Sequence, residues 1–245
     1  MTDIVTLALS ALAVLIILPI HEFAHGYMAY KLGDSTAKDM GRLSLNPMRH
    51  LDPLGALCVV VFHFGWAKPV PINPRNFKNP KKGFALCALA GPLANLLMAF
   101  FSAFIFLLLN AIFKRAVFPS EFLVALAENT TLFFYIFHVI NLSLAIFNLI
   151  PVPPLDGSRL LSVALPPKAY FGIMKYERQI YYALIIWLIG GSFVSRALLS
   201  LPFVAASPIL SWLATYVSLT NILGSLVSWI SKGFLGFWSL IPFLK

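Results

Sequence analysis

Residues 4–31 read IVTLALSALAVLIILPIHEFAHGYMAYK, and the way this stretch folds constrains everything that follows it. No charged side chain occurs from Ile4 to Ile20, and a helix needs only about 20 apolar residues to cross the ~30 Å hydrocarbon core. At a rise of about 1.5 Å per residue, the helix is about 25 Å deep when it reaches His21. The polar group His21-Glu22-Phe23-Ala24-His25 is therefore predicted near one membrane face. Only Asp3 precedes the run, with no basic segment, and no small-residue cleavage site follows it. The helix is expected to be retained and not removed as a signal peptide.

Of 245 residues, 60% are apolar and 11% charged, with a mean hydropathy of +0.86, which excludes a soluble globular domain. The reading is an all-α polytopic membrane protein of about five transmembrane helices, with a short β-hairpin or re-entrant segment between the first and second. Helices are expected over about 4–31, 83–113 and 131–150, within a catalytic membrane core of residues 1–160. Further helices over about 179–198 and 204–230, the latter with Pro208 as a candidate kink, and a short interfacial tail make up 161–245. Between the first two spans Pro53, Pro69, Pro71 and Pro74 prevent a long helix. The β-rich run 57–64, paired with 68–72 through Gly65-Trp66, supplies the hairpin expected in 55–75.

The net charge of +9 is not read as a nucleic-acid signal, because Lys and Arg lie mainly between hydrophobic runs. Arg42, Arg49, Lys68, Lys81 and their neighbours outnumber Asp34, Asp39 and Asp52, which places the loop after the first span in the cytoplasm. The N-terminus is then outside, and the loop with Arg159, Lys168 and Arg178 returns inside; Lys114 and Arg115 run against this topology. Cys58 and Cys87 have no metal-site spacing and are read as packed, reduced thiols.

On a helix, residues four apart differ by about 40° in direction, so His21 and His25 can reach one metal ion while Glu22 stands about 100° aside. Neutral imidazoles suit Zn²⁺, which in hydrolytic sites typically keeps three protein ligands and one water. The chain has only nine acidic residues, and the third ligand is sought where a carboxylate has no other reason to be. Asp156 meets that condition, after the helix-breaking run Pro151-Val152-Pro153-Pro154 at the inner end of the third span. Asp156-Gly157 also reads as an ordinary turn pair. His50 and His63 lack ligand spacing and are read as non-ligands, and His138, roughly on the helical face of Asn141 and Asn148, is read as a helix-packing histidine outside the site.

These residues resemble the site-2 protease family of intramembrane zinc metalloproteases, in its minimal bacterial and archaeal branch without a PDZ domain. Besides the HExxH helix and Leu155-Asp156-Gly157, the resemblance rests on Gly91-Pro92-Leu93-Ala94-Asn95, on Asn148 before the proline run, and on Gly41-Arg42-Leu43-Ser44-Leu45-Asn46-Pro47. It implies one zinc ion held by His21, His25 and Asp156, with Glu22 as general base for peptide-bond hydrolysis. It further implies Asn148 and Asn95 as substrate or oxyanion ligands, although a buried asparagine also serves simply to bond a neighbouring membrane helix. The implied partners are single-span membrane protein substrates and the lipid bilayer of a prokaryotic cell membrane, without nucleic acid; homo-oligomerisation stays open. Two other classes fit some of these features: a divalent-cation transporter, whose ligands would lie at several depths, and a catalytically silent scaffold, against which the intact Glu22 stands.

Overall fold

The computed structural model describes residues 2–50, 52 and 68–244. Its first helix, α1 (Thr2–Lys31), is apolar around most of its circumference, and Pro19 interrupts only one ladder donor within it. The helix stops in a Schellman motif. Gly33 sits at φ 106°, its N–H bonds the Tyr30 carbonyl at 3.1 Å, and the Asp34 N–H bonds the Ala29 carbonyl at 2.9 Å. Glycine adopts this left-handed conformation at little cost.

The buried Asp34 then faces the short helix α2 (Thr36–Asp39). Its carboxylate accepts from the Thr36 N–H and hydroxyl, from the Asn73 N–H at 2.7 Å and from Asn76 Nδ2 at 2.7 Å. Residues 73–76 are thus fastened to the end of α1, although they lie about forty positions further along the chain.

The hairpin expected in 55–75 is not found: the described residues contain no strand, and the first arm, 57–64, with its turn lies outside them. Two of the second arm's donors, Lys68 and Val70, are committed elsewhere. Pro69 and Pro71 lack an N–H, the Lys68 N–H bonds the His50 carbonyl at 2.7 Å, and the Val70 N–H bonds Glu22 Oε2 at 2.8 Å. With Arg42 on the Lys68 carbonyl at 2.6 Å, residues 68–73 form an extended strap laid along α1.

α3 (Pro80–Phe113) begins where Asn79 caps the Lys82 N–H at 3.1 Å, with Pro80 in its first turn. α4 (Glu121–Leu149) starts ahead of the expected 131, because Ser120 caps the Leu123 N–H and Glu121 complements the helix dipole. α3 packs against both α1 and α4. Small side chains at the contacts, among them Ala13, Ala99, Ala103 and Ala145, are fully buried, while Leu93, Leu97 and Phe101 project outward. Close approach of backbones is what holds helices together where the surroundings are as apolar as the interface.

Beyond Asp156 come α5 (Gly157–Ala164), α6 (Pro167–Met174) and α7 (Glu177–Leu199), followed by α8 (Pro202–Ala205), α9 (Pro208–Tyr216) and α10 (Leu219–Trp238). The single span expected over 204–230 is broken: α9 and α10 are bent by 96° to one another. Ser218 is extended at the break, and its hydroxyl engages Thr220 and Ser192, a local alternative to continued helix. His138 ties α4 to two neighbours, donating from Nδ1 to the Ala99 carbonyl at 2.8 Å and accepting from the Ser231 hydroxyl at 2.8 Å. Among the described residues four helices, α1, α3, α4 and α7, are long and apolar enough to cross a membrane, and the bent pair brings the number to five if it counts as one span.

Replacing Asp34 by Ala strands the Asn73 N–H and the Asn76 amide, and is expected to cost roughly 2–4 kcal/mol in thermal unfolding of detergent-solubilised protein. Burial alone would raise the Asp34 carboxyl, but hydrogen bonds from Thr36, Asn73 and Asn76 outweigh it and hold the group below its ordinary value. The stabilisation is then complete above the ordinary carboxylate range and is lost as pH falls toward the folded-state value. An Asp34→Asn variant should lack that acid-side decline.

Candidate functional site

His21 and His25 lie one turn apart on α1, both nearly buried, with their Nε2 atoms 3.0 Å from each other. Asp156, between the end of α4 and the start of α5, brings Oδ2 to 3.3 Å from His21 Nε2 and 3.2 Å from His25 Nε2. The outer nitrogens are already committed. His25 Nδ1 lies 2.7 Å from the Cys87 carbonyl, which can only accept, and His21 Nδ1 lies 3.2 Å from Asn95 Oδ1. Each neutral ring therefore carries its proton on Nδ1 and turns the Nε2 lone pair inward.

Three electron-rich atoms thus converge without a donor among them, and Asp156 Oδ2 is buried with no hydrogen-bond partner. Such an arrangement is repulsive unless a cation occupies it. A tetrahedral ion with bonds of about 2.0–2.1 Å separates its ligand atoms by about 3.3 Å, so the observed 3.0–3.3 Å spacing and the N,N,O donor set suit a zinc-type ion.

Two glycines allow the approach. A Cβ on Gly91 would lie 2.6 Å from a ring carbon of each imidazole, so α3 can cross α1 at this level only without a side chain there. A Cβ on Gly157 would lie 2.5 Å from the Ile150 carbonyl oxygen, where α5 turns back against the end of α4. These contacts give Gly91 of the Gly91-Pro92 pair and Gly157 of Leu155-Asp156-Gly157 a steric reason to be glycine.

The three donor residues open on a cavity of about 460 Å³ that Glu22, Val70, Asn148 and Arg159 also line. Glu22 Oε2 accepts the Val70 N–H, so the strap orients the carboxylate beside the triangle of donor atoms. Val70 itself is buried against Gly26, where its Cγ1 would come within 3.1 Å of an added Cβ. Asn148 stands in the cavity wall. Asn95 does not: it has no exposed surface and lies behind His21 as that ring's hydrogen-bond partner.

Sequence reasoning missed the strap's hold on Glu22, the Cys87 carbonyl, Asp34 and Arg159. Backbone groups leave no mark in a residue pattern. A glycine directly after a helix, as at Gly33, is a capping signal that could have pointed to Asp34, whereas Arg159, one turn beyond Asp156, enters the sequence reading only through topology.

Residues 9–190 match the family described as peptidase family M50. YwhC of Bacillus subtilis (strain 168), which bears the name of a zinc metalloprotease, is 43% identical over 169 residues, covering 69% of this chain and 73% of that protein. Rip2 of Mycobacterium tuberculosis (strain H37Rv), similarly named, is 30% identical over 158 residues, or 63% of this chain and 56% of Rip2. Rip2 of Mycolicibacterium smegmatis is 26% identical over 175 residues, 69% of this chain and 62% of Rip2. The chain thus spans less than two thirds of the Rip2 proteins. No solved structure matches significantly.

Gly91→Ala places a methyl group against both imidazoles and should weaken divalent-metal binding by about 10–100-fold, as measured by metal content after dialysis against graded chelator. Metal retention equal to wild type would show that α3 need not approach so closely.

Proposed function

Because the chain belongs to peptidase family M50, the site-2 protease family, we propose that His21, His25 and Asp156 hold its zinc ion and that Glu22 is the general base of peptide-bond hydrolysis. It is a zinc metalloprotease and an integral membrane protein. The observation that carries the assignment of residues is the convergence of His21 Nε2, His25 Nε2 and Asp156 Oδ2 within 4.8 Å of one another.

When bound, zinc lowers the pKa of a coordinated water to about 7 and polarises a carbonyl oxygen. The protein supplies the remaining parts. Glu22 has one oxygen occupied by the Val70 N–H, which leaves the other to take the proton of the attacking water and deliver it to the departing amine. Asn148, in the cavity wall, can donate its amide to the scissile carbonyl. Asn95 and the Cys87 carbonyl act through the histidines, fixing their tautomers.

We assign catalysis to the core of residues 1–160, with 161–245 as additional helices. The substrates are transmembrane or membrane-adjacent protein segments, since the cavity lies beside the ends of α1 and α4, two candidate membrane spans. A helical substrate has its carbonyls paired internally and must unwind locally to present one. The basic loop that follows α1 supports a cytoplasmic position for the site and an external N-terminus.

Glu22→Gln is expected to retain zinc at the wild-type level while cleavage of single-span membrane peptides falls by about 10²–10⁴-fold. Cleavage by that variant at the wild-type rate would remove Glu22 from the mechanism.

A further inference from the structure

Arg159 shares the cavity with Glu22 and Asp156 but has no part in the chemistry above. It follows Asp156 by three residues on α5, one helical turn, and so its side chain rises from nearly the same face. An arginine that lines a cavity of this kind calls for partners, and those present are poor. One terminal nitrogen meets Glu177 Oε1 end-on at 3.3 Å. The other lies 3.5 Å from the Met174 sulfur, a weak acceptor, and the guanidinium sits 5.4 Å from the centre of the Phe84 ring.

A guanidinium has five N–H donors in a planar fork, so most of its capacity is unused among the described residues. Glu177 is held loosely as well, with 38% of its side chain exposed against 27% for Arg159. A structural arginine is better served by two parallel bonds to one carboxylate, and this one has been left able to accept such a partner. Phe84, against the guanidinium, and Ala88, Pro154 and Leu155 are the apolar part of a cavity that also holds Glu22, Asn148 and Asp156, and a charge pair beside that apolar part is less screened than one in water.

We infer that Arg159 is a specificity-determining residue that binds the carboxylate of an Asp or Glu side chain of the substrate beside the scissile bond, displacing Glu177. The inference rests on the proteolytic reading of the cavity given above. One helical turn between Asp156 and Arg159 places the acidic side chain within a few residues of the bond cleaved, on one side of it only. Glu177 is the resident competitor: it keeps the guanidinium compensated between turnovers and sets the threshold that a substrate acid must exceed.

The test uses the full-length zinc-loaded protein in liposomes and single-span peptides that differ only by Glu or Gln at each of four positions on either side of the scissile bond. Wild type is expected to favour Glu at one position by about tenfold in kcat/KM, chiefly through KM. Arg159→Gln should erase the difference between the Glu and Gln peptides. Glu177→Gln, which frees the guanidinium, should enlarge it. Equal effects of both variants on both peptides would reduce the pair to a structural contact and overturn the inference, as would the absence of any Glu preference in wild type. If wild type cleaves these peptides no faster than Glu22→Gln, the proteolytic reading itself fails, and this inference with it; cleavage without acid preference refutes the inference alone.

Discussion

Two imidazole lone pairs and a carboxylate oxygen facing one another in a buried space form the constraint on which the rest of the structure depends. Without a positive charge among them the arrangement is costly, because neither burial nor hydrogen bonding compensates Asp156 Oδ2. The outward nitrogens are pinned by the Cys87 carbonyl and Asn95, so the rings cannot turn away without breaking bonds in a low-dielectric interior. The fold holds the site in a state that a divalent cation relieves.

The surrounding architecture follows from bringing three separate elements to that point. α1 contributes both histidines on one face, α3 can pass beside them only because Gly91 has no side chain, and Gly157 lets the chain turn back from α4 so that Asp156 arrives. The strap, fastened by Arg42 at one end and by Asp34 at the other, presents the Val70 N–H to Glu22. Among the described residues it is held by Glu22, Asp34, Arg42 and the His50 carbonyl, and none of these bonds needs an N–H from its two prolines.

The apolar spans and the shared face of His21 and His25 were legible in the sequence because both are encoded by side chains at fixed intervals. An uncharged run of helical length is visible directly, and two histidines four apart share a face whatever surrounds them. Less visible was whatever depended on backbone groups or on distant partners. The β-rich composition beside residues 68–72 suggests pairing, yet the Lys68 and Val70 N–H groups of that segment go to His50 and Glu22. The apolar run 204–230 gave no warning that Ser218 would end one helix and begin another. Asn95 was recognisable as a polar residue in a membrane helix, but its position behind His21 and outside the cavity wall is a tertiary fact.

The most direct measurement is X-ray absorption at the zinc edge of the loaded wild-type protein and of Asp156→Ala. The account predicts two imidazole nitrogens and carboxylate oxygen at about 2.0–2.2 Å in the wild type, and a changed shell or lost zinc in the variant. A sulfur scatterer at about 2.3 Å, or identical spectra from the two proteins, would contradict it.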